Sequence, residues 1–335
     1  MLLLLGVLGT SLHAQTPSSG SSPEDTLSRQ AVLTLQRLER DMMQLGDSML
    51  DAHSDEAKIN ALRRYVPMLV RALKVDYSFY YPFDSLRFMF KLKPEDGRFR
   101  MLNWNLQLED GAFRYFGAIQ MAPGQPSQQP VYPLFDRSPD LDASGRPHDT
   151  LLGPDQWYGA QFYAIRRFPQ PGDSSWQYVL LGWDGHQPGN NRKIIDVIRF
   201  RENGEPQFGA PIFERGPSAS GPSSEDPMMA TRRFFTFKED AYMTLRFIPE
   251  RPLIAIANLV PFKDPATGQQ HMVPDGGYNY YQCRDGRFFF GEDLFSSFRD
   301  DYLPVEGPEG TVREDGTVEQ EERKRPRKER LFRHR

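Results

Sequence analysis

The chain has 335 residues, 39% hydrophobic, 26% charged and 13% aromatic, so it is long enough for one large or two ordinary domains with a sizeable core. Its 41 basic and 45 acidic residues suggest no general affinity for polyanions, and 27 Gly with 28 Pro imply many turns and short elements. After the first dozen residues no apolar run approaches the roughly 20 residues that a membrane-crossing helix needs.

Leu2 to Leu12 has the length and composition of a signal-peptide core, and Leu12-His13-Ala14 before Gln15 reads as a cleavage site. Residues 1–14 are therefore expected to be a signal peptide and 15–25 a flexible linker. The expected location is exported, periplasmic or extracellular. The one cysteine, Cys283, cannot form an internal disulfide and lies far from the position that a lipid-anchored protein would acylate, so a lipoprotein is not expected. Its place in a strand-like run suggests packing and not reactivity.

Residues 26–75 predict a helical hairpin. Val32, Leu35, Leu38, Met42, Leu45 and Met49 fall in steps of three and four, with Asp25 as N-cap. A second run after Ser54 carries Ile59, Leu62, Val66, Leu69 and Leu73, and Pro67 is expected to kink or restart it. Both apolar faces must be buried against the domain that follows or, as the alternative, against a coiled-coil partner.

Over residues 76–304 the period changes to two, punctuated by Asp96-Gly97, Asp110-Gly111, Asn203-Gly204 and Asp285-Gly286. A two-residue turn at Asp110-Gly111 would pair Leu108 with Phe113, Leu106 with Tyr115, Trp104 with Gly117 and Leu102 with Ile119. Asn103, Asn105, Gln107 and Arg114 would then occupy a polar outer face. Without helix-length patterns between the strands, parallel crossovers are not expected. The predicted fold is mainly β (α+β): the helical hairpin, then an antiparallel β-meander as a sandwich or open sheet, with a propeller as second choice. Long Pro, Gly and Ser-rich stretches at 123–130, 136–154 and 216–227 read as surface loops.

Residues 305–335 form a charged tail, expected to be disordered. Its last thirteen residues carry +7, leaving −11 for the rest. Arg323, Lys324, Arg325, Arg327 and Lys328 are candidates for polyanion contact, although a solvated tail, free to fold back on the acidic body, is the plainer reading.

No phosphate-binding glycine loop, dinucleotide fingerprint, HExxH helix, GxSxG elbow or CxxC pair is present. No cofactor is expected. His53, His148, His186 and His271 are scattered over four regions. One stretch stands out, Gly182 to Asn191, read as an oxygen-rich loop between two apolar strands. Trp183, Asp184, His186, Asn190, Asn191 and, on the next strand, Asp196 are its candidate ligand-binding residues, with Asp184 as a calcium candidate. The same residue types also suit any wide turn. For glycoside hydrolysis, Asp84, Glu109, Asp110, Asp184 and Asp196 are equivalent candidates.

The strings Tyr80-Tyr81-Pro82-Phe83-Asp84-Ser85-Leu86, LLGWDG (180–185), KIIDVIRF (193–200) and FGAPIF (208–213) resemble a family of exported proteins of Bacteroidota, over roughly residues 27–302. The resemblance implies export and brings no activity, cofactor or catalytic residue with it. The reading is thus an envelope binding or interaction protein whose partner is an envelope protein or glycan and not a nucleic acid. The alternative is a carboxylate-dependent envelope hydrolase with its site near Asp184.

Overall fold

A computed structural model describes residues 27–124, 130–214 and 229–298. Helix α1 (Arg29–Asp51) starts behind Ser28, whose hydroxyl accepts the Ala31 N–H at 3.1 Å, while Asp25, the expected cap, lies outside the described residues. Ser54 caps α2 (Asp55–Leu73) in the same way, with Asp55 and Glu56 at the positive end of the helix dipole. Of the two outcomes expected at Pro67, a kink or a restart, the restart does not occur: α2 runs through it as one helix. The proline sits at an exposed position, where water can take the carbonyl that its ring leaves unbonded.

The hairpin covers a four-stranded sheet of β1 (Phe90–Leu92), β2 (Phe99–Gln107), β3 (Phe113–Met121) and β4 (Val131–Phe135) in sequential order. Leu35, Leu38, Met42, Tyr65 and Leu69 pack there on Leu102, Trp104 and Leu106 of β2. Gly46, in the middle of α1, permits the approach of Phe88, because a Cβ there would lie 2.2 Å from its ring.

A second sheet, in the order β11 (Arg233–Lys238), β7 (Asn190–Phe200), β6 (Trp176–Gln187), β5 (Gln161–Pro169), lies behind the first, and β8 (Pro206–Phe208) pairs with β7. The third sheet orders β10 (Met229–Ala230), β9 (Phe213–Glu214), β15 (Arg287–Gly291), β14 (Gln270–Arg284), β13 (Leu253–Lys263) and β12 (Leu245–Phe247). A short helix, α3 (Ser138–Ala143), follows β4, and another, α4 (Leu294–Ser297), caps the outer face of the third sheet.

The layers are therefore hairpin, sheet, sheet, sheet, with a core between each pair. Tyr178, Leu180, Ile194 and Ile198 face the first sheet, whereas Val179, Leu181, Ile195 and Val197 face the third. Burial on both faces explains why β6 and β7 read as continuous apolar runs and not as alternations. The mainly β, α+β class stands, and the sheets are open. The chain is less simple than a meander: it leaves the second sheet after β8, forms β9 and β10 in the third, returns for β11, and sets β15 parallel to β9. No helix among the described residues is long and apolar enough to cross a membrane.

The register of the first ribbon differs by one residue from the expected one. Leu106 pairs with Arg114, Asn105 with Tyr115, Trp104 with Phe116 and Leu102 with Ala118. The turn has three residues, 109–111, closed by the Leu108 N–H on the Ala112 carbonyl, with Gly111 at φ 84°. That is a type I turn followed by a left-handed residue, and the extra residue moves every cross-strand partner by one. Asn103 and Asn105 do lie opposite the hairpin-facing side, but against the second sheet and not solvent. The fully buried Asn103 amide accepts the Phe162 N–H at 2.8 Å and donates to its carbonyl at 3.1 Å, where β5 carries a bulge. At Asp285-Gly286, by contrast, the expected two-residue turn forms, with φ 47° and 77°.

Candidate functional site

The oxygen-rich stretch is not a loop. β6 and β7 continue through it to a two-residue turn at Pro188-Gly189, with a bulge between Asp184 and Gln187. The pairing of Asp184 with Arg192, just before the bulge, puts two opposite charges side by side on the ladder.

Asp184 is buried and points towards the first sheet. The Tyr115 hydroxyl donates to its Oδ1 at 2.9 Å and accepts the Gly185 N–H at 2.8 Å. Its Oδ2 lies 3.4 Å from the Tyr158 hydroxyl and 3.9 Å from Arg192 Nη1. Tyr158 also reaches Asp142 of α3 at 3.0 Å, Arg192 Nη1 donates to Asp142 at 3.0 Å, and the same nitrogen donates to the Tyr158 oxygen. Phe234 closes the cluster, its ring 4.8 Å from both the Arg192 guanidinium and the Tyr158 ring. Burial, reinforced by the charge of Asp184, pushes both phenols well above their ordinary value, so each is a neutral donor. Only Asp142, with a quarter of its side chain exposed, brings this cluster towards solvent.

The 136–154 stretch, expected as a surface loop, therefore delivers a buried contact. Asp136 makes this possible: its Oδ2 accepts the Tyr115 N–H at 3.1 Å and its Oδ1 accepts from the Ser138 N–H and hydroxyl. Only glycine fits at 159, where a Cβ would lie 2.3 Å from Asp136 Oδ1.

Asp196 belongs to a different cluster. It is fully buried, its Oδ1 accepts the Val197 N–H, and Arg232 Nε lies 3.2 Å from its Oδ2. Arg232 in turn donates to the carbonyls of Pro147 and Thr150. Burial raises the Asp196 carboxyl above its ordinary value against the opposing pull of Arg232. Arg192, the partner of Asp184, is four residues along β7 from Asp196, about 13 Å of strand. Paired catalytic carboxylates in glycosidases lie about 5–9.5 Å apart, so Asp184 and Asp196 are not brought together for that chemistry.

The other expected residues are held by the scaffold. Trp183 is half-buried, edge-on to Phe113 at 5.0 Å. Asn190 Oδ1 lies 3.0 Å from His271 Nδ1, and the Asn191 amide donates to the Glu239 carbonyl at 3.1 Å, so both pin the turn to neighbouring strands. The side chain of His186 lies outside the described residues, as do Arg323, Lys324, Arg325, Arg327 and Lys328. For calcium, Asp184 would face a guanidinium, and no group of three or more metal-ligating side chains occurs among the described residues. Burial pushes the Cys283 thiol up to about 11, as suits a packed and not a reactive cysteine.

Tyr115, Asp142, Tyr158 and Arg192 are the members that sequence reasoning missed. They lie 16 to 77 residues apart in the chain, and no spacing signals their meeting. Two of the strings singled out in the sequence map onto such hubs. In Tyr80–Leu86, the Tyr81 carbonyl accepts from buried Arg100 at 2.6 Å, and the Ser85 N–H donates to Glu39 of α1 at 2.8 Å. Desolvation lowers the Arg100 pKa to about 9. In FGAPIF, Gly209 (φ 87°) lies against Arg232.

Solvent reaches a different place. A groove of about 670 Å³ runs beside α1, lined by Gln36, Glu39, Arg40, Met43, Tyr81 and Ser85. It shares Gln36 and Arg40 with a second of about 460 Å³, where Leu33, Arg37 and Arg71 bridge α1 and α2. Glu39, the acid between these arginines, is turned inward to Tyr81 and Ser85. No family model, curated protein or solved structure matches the chain, so these geometries are the ground on which a function is assigned.

Proposed function

We propose that the protein is an exported, non-catalytic interaction module of the cell envelope. In this reading the stacked sheets are a rigid support, and the hairpin groove receives a carboxylate-rich partner. One contrast carries it: Asp184 and Asp196, the acids of the oxygen-rich stretch and the strand after it, are occupied by tyrosines and arginines inside the stack, while Arg37, Arg40 and Arg71 stand exposed around an open groove with an apolar edge at Leu33. The signal-like N-terminus and the resemblance to exported proteins support the location.

Melting of the purified chain with polyglutamate and with peptidoglycan fragments tests the proposal. Polyglutamate should raise the Tm in a concentration-dependent way, because a ligand of the native state must do so. The rise should vanish in Arg37→Glu/Arg71→Glu and persist in Asp184→Asn. Hydrolysis of peptidoglycan that Asp184→Asn abolishes would instead establish the hydrolase.

A further inference from the structure

The charges of the hairpin are segregated along its length. Beyond Lys58, which lies beside Asp55 and Glu56, α2 and its cap carry Arg63, Arg64, Arg71 and Lys74 with no acidic residue, and the adjoining half of α1 adds Arg29, Arg37 and Arg40. Glu39, the one acid on that half, is buried under Tyr81. Asp47, Asp51, Asp55 and Glu56 lie towards the other end, and Asp41, beside Arg40, marks the boundary at the middle of α1. Among the described residues Arg37, Arg40 and Arg71 take part in no ion pair, so several cations crowd one end of the hairpin at a cost in mutual repulsion that an anionic occupant would relieve.

The chain itself contains such an occupant. Between Glu306 and Glu322 there are seven acidic residues and one basic, Arg313, a net charge of −6. This segment follows Phe298, whose ring packs on Tyr280 on the outer face of the third sheet. With sheets about 10 Å apart and helices at a similar distance, the groove is on the order of 30–40 Å through the stack. Residues 299–313 can extend to about 50 Å, so the remainder of the acidic segment reaches the groove without strain. Tethering adds an effective concentration in the millimolar range.

We infer that the acidic segment Glu306–Glu322 docks in the arginine groove of the helical hairpin, where external carboxylate-rich partners must displace it. This rests on the groove being the binding surface proposed above.

The test uses the full chain with Cys283→Ala and Val318→Cys, a single dye on the new thiol, and time-resolved anisotropy. The dye should tumble with the body at low salt. It should become mobile near 1 M salt, where the Debye length falls to about 3 Å. Arg37→Glu/Arg71→Glu should release it at low salt while the chain keeps the far-UV circular dichroism of the folded protein, and Glu319→Arg/Glu321→Arg in that background should dock it again. Deleting residues 323–335 should leave it docked. A dye already mobile in the otherwise native chain, or one released only by that deletion, would overturn the inference, the latter because the acidic segment then pairs with the basic tail. A polyglutamate-induced Tm rise alongside a mobile dye keeps the groove and sinks the docking. A docked dye with no response to polyglutamate sinks the partner reading alone.

Discussion

The cluster around Asp184 and the groove around Arg71 use the same residue types for opposite ends. Between the first and second sheets, Asp184, Asp142 and Arg192 are joined through neutral phenols, and water reaches them chiefly at Asp142. On the hairpin the cations face solvent, and Glu39, the acid between them on α1, is turned away. Burying a charge is expensive unless it is paired and hydrogen-bonded, so the inner charges commit the fold to one arrangement of its layers. Exposed charges cost little to the fold and remain available for binding.

This contrast can be broken most sharply at Arg232. Arg232→Ala strands the fully buried Asp196 and should cost about 3–5 kcal/mol in chemical denaturation, whereas Arg232→Met/Asp196→Leu should recover most of it. Full stability in the single variant would show that the inner pair is not a lock. Next in size, Tyr115→Phe removes the phenol that donates to Asp184 and accepts from Gly185. A loss of about 1–3 kcal/mol is expected, measured as a lower denaturation midpoint at constant slope.

Lys193 sharpens the comparison, since it is a cation placed between inside and outside. Its ammonium lies 4.6 Å from the Tyr163 ring, and burial lowers its pKa to about 8. The unfolded chain then holds more protons between about pH 8 and 10.5, so this group adds stability as pH rises through that window and contributes least below it. Stability measured from pH 7.5 to 9.5 should climb relative to Lys193→Met, in which the slope should be absent. Equal slopes would mean that Lys193 is solvated like a surface lysine.

Smaller still, Gly111→Ala places a side chain at φ 84° and should cost about 1 kcal/mol, because the three-residue turn sets the register below which Asp184 is capped. The smallest effect is expected at the groove. Arg71→Glu should change the unfolding free energy by no more than about 0.5 kcal/mol, and a larger loss would place Arg71 among the structural charges.

The helices were legible because their signal is local. Leu35, Leu38, Met42, Leu45 and Met49 repeat at the helical period and Ser54 marks the second start, whereas the first start reads at Asp25 and is capped by Ser28. Turns at Asp96-Gly97 and Asp285-Gly286 were legible for the same reason, since glycine tolerates the positive φ that they require. At Asp110-Gly111 the same signal located the turn but not its length, and one residue of error re-paired the ribbon.

By itself the sequence determined the hairpin, the sites of most turns and the mainly β class, all consequences of neighbouring side chains and backbone preferences. The tertiary structure decided what covers each strand's second face: Asn103 reads as a polar outer residue, yet a bulged β5 lies over it. It also decided the company of the candidate acids. Asp142 and Asp184 are 42 residues apart, and only the stacking of two sheets and the fold-back of α3 makes one phenol serve both, because pairing across layers leaves no period in the chain.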